Sequence, residues 1–303
     1  MKFIFIYDKK IKDVNLNAYD RLKIGLSKLG HKCREVSVDS ILSKMCIEDC
    51  IRKNNILINH DAFICIGWPR YLADIIKKHN AQTLTIYDPP IRPINRKTKF
   101  ANYWGVCLGQ PHTNYNYSDN IEPTRWNIVK NKMNIKVFPW RNNEGGHILI
   151  GVRNADNFNG VSQLPETKKL IDECKKFNRN IILSFRNRPS YKIYSKNYEY
   201  SKCKMVNNSF KYLNNAYCLV ITGGTLVSKS IINGVPCYYT DKNITDPLNI
   251  TKDLNKFIVN PDKPNRSKWL NWAAYQQWTL DEISSGEALE HVFSTHKEVI
   301  KNG

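Results

Sequence analysis

The sequence predicts an α/β protein of two Rossmann-like domains facing across a cleft, with closing helices towards its C-terminal end. Three observations predict this. Short apolar runs alternate with helical periodicities through the first 90 residues, the same rhythm returns after residue 146, and the polar stretch "RNNEGG" (141–146) separates the two. Alternating strand and helix implies mostly parallel sheets, because parallel strands need crossover connections. A length of 303 residues suits two domains of about 150 residues each. The expected division is residues 1–142, 143–268 and 269–303.

In the first domain "KFIFIY" reads as a strand, and "NAYDRLKIGLSKLGHK" places Leu22, Gly25, Leu26 and Leu29 at helical spacing with Gly30 as the stop. "KCREVSVDSI" follows as a strand, then "DAFICIGW", the helix "PRYLADIIKKHN" and the strand "QTLTIYDPP". From 89 to 140 the periodicity weakens into a Pro-, Asn- and Tyr-rich basic region, which reads as a long functional loop. The second domain runs "HILIGV", helix "LPETKKLIDECKKF", "NIILSF", helix "NSFKYLNNA", "YCLVIT", helix "TLVSKSIING" and "VPCYYT". The tail carries three Trp in helical faces and reads as closing helices.

Hydrophobic residues at 42 % and charged residues at 24 % exclude a disordered chain. No apolar run approaches the roughly 18 residues of a membrane span, and the N-terminal apolar stretch is too short for a signal peptide. A cytoplasmic protein without membrane partners is the expectation. The nine cysteines are scattered, without a Cys-x-x-Cys pair, and several lie in strand-like runs, so they read as reduced, buried thiols. A net charge of +19 points to polyanions such as nucleic acid, anionic membrane or phosphorylated ligands. AT-rich coding, visible in 35 Asn, explains part of the Lys excess but not the shortage of acidic residues.

The segment "VITGGTLVSKSIINGVPCYY" carries the strongest chemical signal. A strand breaks into Gly223-Gly224 and enters a helix at Thr225, where free backbone N–H groups meet a partial positive charge. Thr222, Gly223, Gly224 and Thr225 form a candidate anion seat, and Ser228 and Lys229 lie one turn on. The bland alternative is a tight turn in which Thr225 caps the helix. The pattern is neither Gly-x-Gly-x-x-Gly nor a Walker loop. Arg186 and Arg188 follow the strand "NIILSF" and read either as a diphosphate clamp or as an exposed basic loop.

This strand, small-residue turn, helix and Gly-x-Pro strand resemble the donor domain of GT-B glycosyltransferases. The tail "WLNWAAYQQWTLDEISSGEAL" is similar to the ends of glycosyltransferases of tailed phages and other viruses. The resemblance covers about 130 C-terminal residues. It implies a nucleotide-sugar donor, a UDP-sugar first, held by Arg186, Arg188, residues 222–225, Ser228 and Lys229. It also implies a viral setting in the cytoplasm of an infected cell.

Transfer to a hydroxyl needs a base and positive charge on the departing diphosphate. Asp88, which ends "LTIYD" before a rigid Pro-Pro pair, is the favoured base; Asp8, ending "FIFIYD", and His112 are rivals. Without an Asp-x-Asp pair, a metal-dependent GT-A mechanism is disfavoured, and no metal site is expected. The basic, aromatic region 92–141 offers Arg92, Arg96, Lys97, Lys99, Trp104 and Arg125 as candidate nucleic-acid contacts. The expected acceptor is therefore a hydroxymethylated base, such as hydroxymethylcytosine, in double-stranded DNA. A surface glycan or lipid-linked sugar is the alternative acceptor, and a non-catalytic nucleic-acid-binding protein is the alternative class.

Overall fold

The computed structural model describes residues 1–8, 13–39, 44–67, 70–91, 103–109, 111, 117–118, 120–152, 164–185, 203–206, 209–241 and 243–295. The chain divides into two compact units. Met1–Pro90, Thr98–Trp126 and Trp272–Gly303 make the first, and Ile91–Lys97 with Asn127–Asn271 the second. This grouping cuts across the linear division read from the sequence, since the closing helices belong largely to the first unit.

The first unit begins β1 (Lys2–Asp8), α1 (Asp13–Lys28), β2 (Lys32–Val38), α2 (Lys44–Lys53), α3 (Ile56–Asn59), β3 (Ala62–Ile66), α4 (Arg70–Lys78) and β4 (Gln82–Tyr87). The strands lie in the order β2-β1-β3-β4, all parallel. Both faces are covered, so the strands read as continuous apolar runs rather than alternating ones. Phe3, Phe5, Leu84 and Ile86 pack on the side of α1, while Ile4, Ile6, Phe63 and Cys65 pack on the side of α2 and α4.

A fifth strand, β5 (Tyr103–Leu108), lies inside the region expected to be a long loop, and it pairs antiparallel with β4. Gly105 hides it from a sequence reading, because glycine weakens a strand signal. Its place is set by Tyr87, which stands opposite in the register. A Cβ on Gly105 would come within 2.5 Å of the Tyr87 ring, so the ring fills the space that a side chain would need. The helix α5 (Thr124–Lys132) follows.

The second unit holds β6 (His147–Val152), α6 (Leu164–Cys174), β7 (Ile181–Phe185), β8 (Lys204–Val206), α7 (Ser209–Leu213), β9 (Ala216–Ile221), α8 (Thr225–Ile232), β10 (Cys237–Tyr239) and α9 (Leu254–Val259). All its strand pairs are parallel, in the order β10-β9-β6-β7-β8. Counted within the unit, this is the 3-2-1-4-5 order of a doubly wound sheet, and the order reverses between β6 and β9. The crevice at such a reversal, outside the carboxyl ends of the strands, is where open α/β sheets bind ligands.

The chain then runs through α10 (Ser267–Ala274), β11 (Gln277–Thr279), α11 (Leu280–Ser285) and α12 (Glu287–Thr295). β11 adds to the first sheet antiparallel to β5, with Trp278 opposite Trp104. Thr279 and Glu282 start α11 with a reciprocal capping box. Trp278, Ile283, Ala288 and Leu289 enter the core of the first unit.

Arg125 departs from its expected place on a nucleic-acid face. It is 5 % exposed, and its guanidinium donates to the carbonyls of Ala274 and Gln277 and to both carboxylate oxygens of Glu282. It also lies 3.5 Å over the Trp278 ring. Every polar face of the group is occupied inside the fold. Trp104 is likewise a fold residue, half-buried against the same core.

Candidate functional site

The site is built on the β9–turn–α8 segment of the second unit. Apolar β9 is buried apart from half-buried Tyr217 and lies between β10 and β6, and the chain leaves it at the carboxyl end, where Thr222, Gly223 and Gly224 form the turn. Gly224 is the N-cap of α8, at φ 98° and ψ −177°, a region that belongs essentially to glycine. The N-cap is a glycine and gives the helix no side-chain cap bond of its own, and Thr225 is the first helical residue and not the cap. The first N–H groups of a helix have no partner within the helix and carry the positive end of its dipole.

The opposite end of α8 is closed by cations. Arg266 donates to the Ile231 carbonyl at 2.5 Å and to the Phe138 carbonyl at 2.7 Å, and Arg141 donates to the Asn233 carbonyl at 2.9 Å. Positive charge at a helix C-terminus complements the dipole. The carbonyl end of the helix is thus satisfied by two arginines.

The turn is held by the chain that leaves β10. The Thr222 carbonyl accepts from the Thr240 and Asp241 amides at 3.2 and 2.6 Å, and the Asn243 amide donates to the Gly224 carbonyl at 3.3 Å. Thr240 also donates its hydroxyl to Glu166, in the first turn of α6, at 2.6 Å. These bonds occupy the Thr222 and Gly224 carbonyls of the turn. Thr222 is fully buried, and the Ser228 hydroxyl turns back to the Thr225 carbonyl at 3.1 Å. Lys229 is 6 % exposed, with its ammonium 4.5 Å over the Phe210 ring. The Ser228 hydroxyl thus spends its donor on the helix itself.

Glu166 and Asp241 are the two groups that the sequence reading missed. Asp241 stands at the end of β10, and a Cβ placed on Gly223 would lie 3.2 Å from its Oδ2. The signal was available: an acidic residue 18 positions after Gly223, at the end of the next strand, is the spacing that puts a carboxylate beside a phosphate-binding turn.

In the first unit two of the candidate bases lie at the carboxyl ends of parallel strands. β1 closes at Asp8, whose side chain lies outside the described residues, and Asp88 follows β4 and is exposed. β3 stands between them, so the two chain ends are separated by two strand spacings, roughly 10 Å. His112, Arg92, Arg96, Lys97, Lys99, Arg186 and Arg188 lie outside the described residues. Among the described residues no group of three or more His, Cys, Asp or Glu could hold a metal ion, and no helix is long and apolar enough to cross a membrane. Burial raises the thiols of Cys65, to about 12, and of Cys107, Cys218 and Cys237, which fits inert core residues.

No protein-family model and no curated protein sequence matches the chain. Among solved structures it is similar to Thermosulfurimonas dismutans KpsC, a beta Kdo 2,7 transferase, with a TM-score of 0.53 and 11 % identity over 95 % of this chain and 99 % of that one. S. aureus MnaA with UDP gives 0.37 at 8 % identity over 99 % and 98 %, and E. coli heptosyltransferase WaaC with ADP gives 0.27 at 11 % over 79 % and 87 %. The KpsC likeness, at this identity, speaks to the fold. The chain has two Rossmann-like domains of the GT-B type found in glycosyltransferases.

Proposed function

We propose that the chain is a glycosyltransferase that takes a nucleotide sugar in its second unit and passes the sugar to an acceptor hydroxyl. One observation carries this reading: the start of α8 at the glycine N-cap Gly224, beside the reversal of strand order in a doubly wound sheet. The first amides of a helix and its dipole suit a diphosphate, and they suit it better as charge grows on the departing group. Arg186 and Arg188 are proposed to complete the diphosphate clamp, and Lys229 to add positive charge beside it. In the reaction the acceptor oxygen bonds to the anomeric carbon as the bond from that carbon to the diphosphate breaks. Asp88, with Asp8 and His112 as rivals, takes the hydroxyl proton. The donor proposed first is a UDP-sugar, in a reaction without an obligatory metal.

For the acceptor we propose a hydroxymethylated base in duplex DNA. The support is the net charge of +19 and the basic run Arg92, Arg96, Lys97 and Lys99. Arg125 and Trp104, with their places in the core, no longer contribute to it. A glycan acceptor is the second reading, prompted by the fold shared with KpsC, itself named as a beta Kdo 2,7 transferase. The test is incubation of the protein with a panel of nucleotide sugars and either hydroxymethylcytosine-containing duplex or glycan acceptors, followed by mass spectrometry. A hexose- or pentose-sized gain on the nucleoside supports the first reading. A gain on glycan alone supports the second, and no donor turnover with any acceptor refutes the transferase.

A further inference from the structure

Two segments of the second unit, more than 120 positions apart in sequence, lie side by side away from the sheet. Trp140 donates its indole N–H to the Pro264 carbonyl at 2.9 Å, Arg266 donates to the Phe138 carbonyl at 2.7 Å, and Lys263 donates to the Asn142 side-chain oxygen at 3.2 Å. An open cavity of about 380 Å³ is lined by Val137, Trp140, Lys263, Asn265, Arg266 and Leu270 among others. Residues 136–143 and 263–268 hold five Lys or Arg and no Asp or Glu. The flanking carboxylates are engaged: Asp262 accepts from the Thr251 amide at 2.7 Å, and Glu144 from the Asn142 side-chain amide at 3.3 Å. Among the described residues no carboxylate pairs with Lys136, Lys263 or Arg266. Of the five N–H groups of Arg266, two are spent on the Ile231 and Phe138 carbonyls.

Two aromatic rings stand among these cations. Phe138 is 39 % exposed, with the Arg141 guanidinium 5.5 Å over its ring, and half-buried Trp140 lines the cavity with Arg266 4.2 Å over its ring. The backbone that carries them is pinned to the end of α8, where the Phe138 amide donates to the Ile232 carbonyl at 2.9 Å and the Arg141 amide to the Gly234 carbonyl at 2.7 Å. Phe138 is therefore held at the surface. Cations alone suit any anion, whereas cations interleaved with rings suit a polyanion that also offers flat apolar faces. We infer that this face binds single-stranded nucleic acid, with Lys136, Lys263 and Arg266 against backbone phosphates and Phe138 and Trp140 against bases. A duplex stacks its bases on one another and shows only their edges, so the rings favour a strand whose base faces are open. The inference needs no sugar donor and none of Arg92, Arg96, Lys97 or Lys99, so its failure leaves the transferase reading untouched.

Fluorescence anisotropy of labelled oligothymidylate and oligouridylate, titrated over a range of salt with the full chain, tests this. The variants are Lys136→Ala combined with Lys263→Ala, then Phe138→Ala and Phe138→Tyr; all three side chains are exposed, so melting midpoints should match wild type. In the double variant the slope of log affinity against log salt should fall by about 1.4, from about 0.7 for each cation removed. Phe138→Ala should bind about 5-fold more weakly or worse with its slope unchanged, and Phe138→Tyr, which keeps a stacking ring, should bind as wild type does. Loss with both oligonucleotides supports the face as indifferent to the sugar, and loss with one supports it and assigns DNA or RNA. Unchanged affinity and slope in every variant overturn the proposal, as does a loss in Phe138→Tyr equal to that in Phe138→Ala. Tighter binding of polyglutamate than of either oligonucleotide overturns it in favour of an acidic protein partner, and failure of wild type to bind either oligonucleotide at low salt overturns it outright.

Discussion

Replacing Arg125 by alanine should unfold the first unit at a markedly lower temperature while leaving any nucleic-acid affinity unchanged. The guanidinium is 5 % exposed and makes two carbonyl bonds, a two-oxygen contact with Glu282 and a 3.5 Å approach to the Trp278 ring. Removing one partner of a buried ion pair costs about 3–5 kcal/mol, mostly through the charge left behind. The Glu282 side chain keeps 20 % of its surface in solvent, so water can rehydrate part of it, and the lower end, about 3 kcal/mol, is expected. For a unit of this size each kcal/mol moves the midpoint by about 2–4 °C, giving a fall of about 6–12 °C. Thermal melts followed by tryptophan fluorescence, alongside salt-dependent DNA titrations, measure both sides. A variant within about 1 kcal/mol of wild type, with a DNA salt slope lower by about one, would falsify the buried role and restore Arg125 to a phosphate-contact face.

Gly224→Ala should lower stability by about 1–3 kcal/mol, because its φ of 98° with an extended ψ is closed to alanine, and it should weaken pyrophosphate binding; a melt and a titration check both. Gly105→Ala should cost about 1–3 kcal/mol by driving a methyl group into the Tyr87 ring, and unfolding of Gly105→Ala combined with Tyr87→Leu should recover part of that loss. Acid should weaken the first unit through Glu282. Burial by itself raises this carboxyl, but hydrogen bonds from Arg125 and the Thr279 amide outweigh it and hold the group below its usual range. A depressed folded value means that the stabilisation is complete above the unfolded value near about 4.3 and is lost as pH falls through the folded one. Melts from pH 6 to 3 should therefore show a steeper decline in wild type than in Glu282→Gln. Native protein treated with a thiol reagent should be modified first at Cys33, Cys46 and Cys203, with Cys65, Cys107, Cys174, Cys218 and Cys237 reacting only on unfolding, which peptide mapping resolves.

Much of the fold was legible because its central strands are buried on both faces. "KFIFIY", "AFICI", "TLTIY", "HILIGV" and "YCLVI" announce themselves as short apolar runs separated by helical periodicities. β5 did not, because its signal is split between Gly105 and a tyrosine 18 residues earlier that fills its gap. β11 contributes three residues, too few for any period. Arg125 reads as a surface cation in its own neighbourhood, since the groups that bury it come about 150 positions later. At the candidate site the glycines declared the turn, but Asp241 gains meaning only once β10 is known to lie beside β9. Ser228 sits at a spacing that suggested an anion, and only the side-chain geometry shows its hydroxyl bonded back into the helix.

The discontinuous make-up of the first unit governs how the chain is born. Residues 127–271, nearly all of the second unit, leave the ribosome as one uninterrupted stretch and can close their parallel sheet during synthesis. The first sheet waits. Its β5 has β4 on one side from early on, but the strand that covers its other side, and Trp278, Ile283 and Leu289 that fill its core, are made more than 150 residues later. Until then an unpaired edge and an unfilled apolar face are exposed to other nascent chains. Trigger-type chaperones that shield such surfaces should raise the soluble yield of this protein more than that of a chain ending its domains in order, and a truncation before β11 should send it into aggregates.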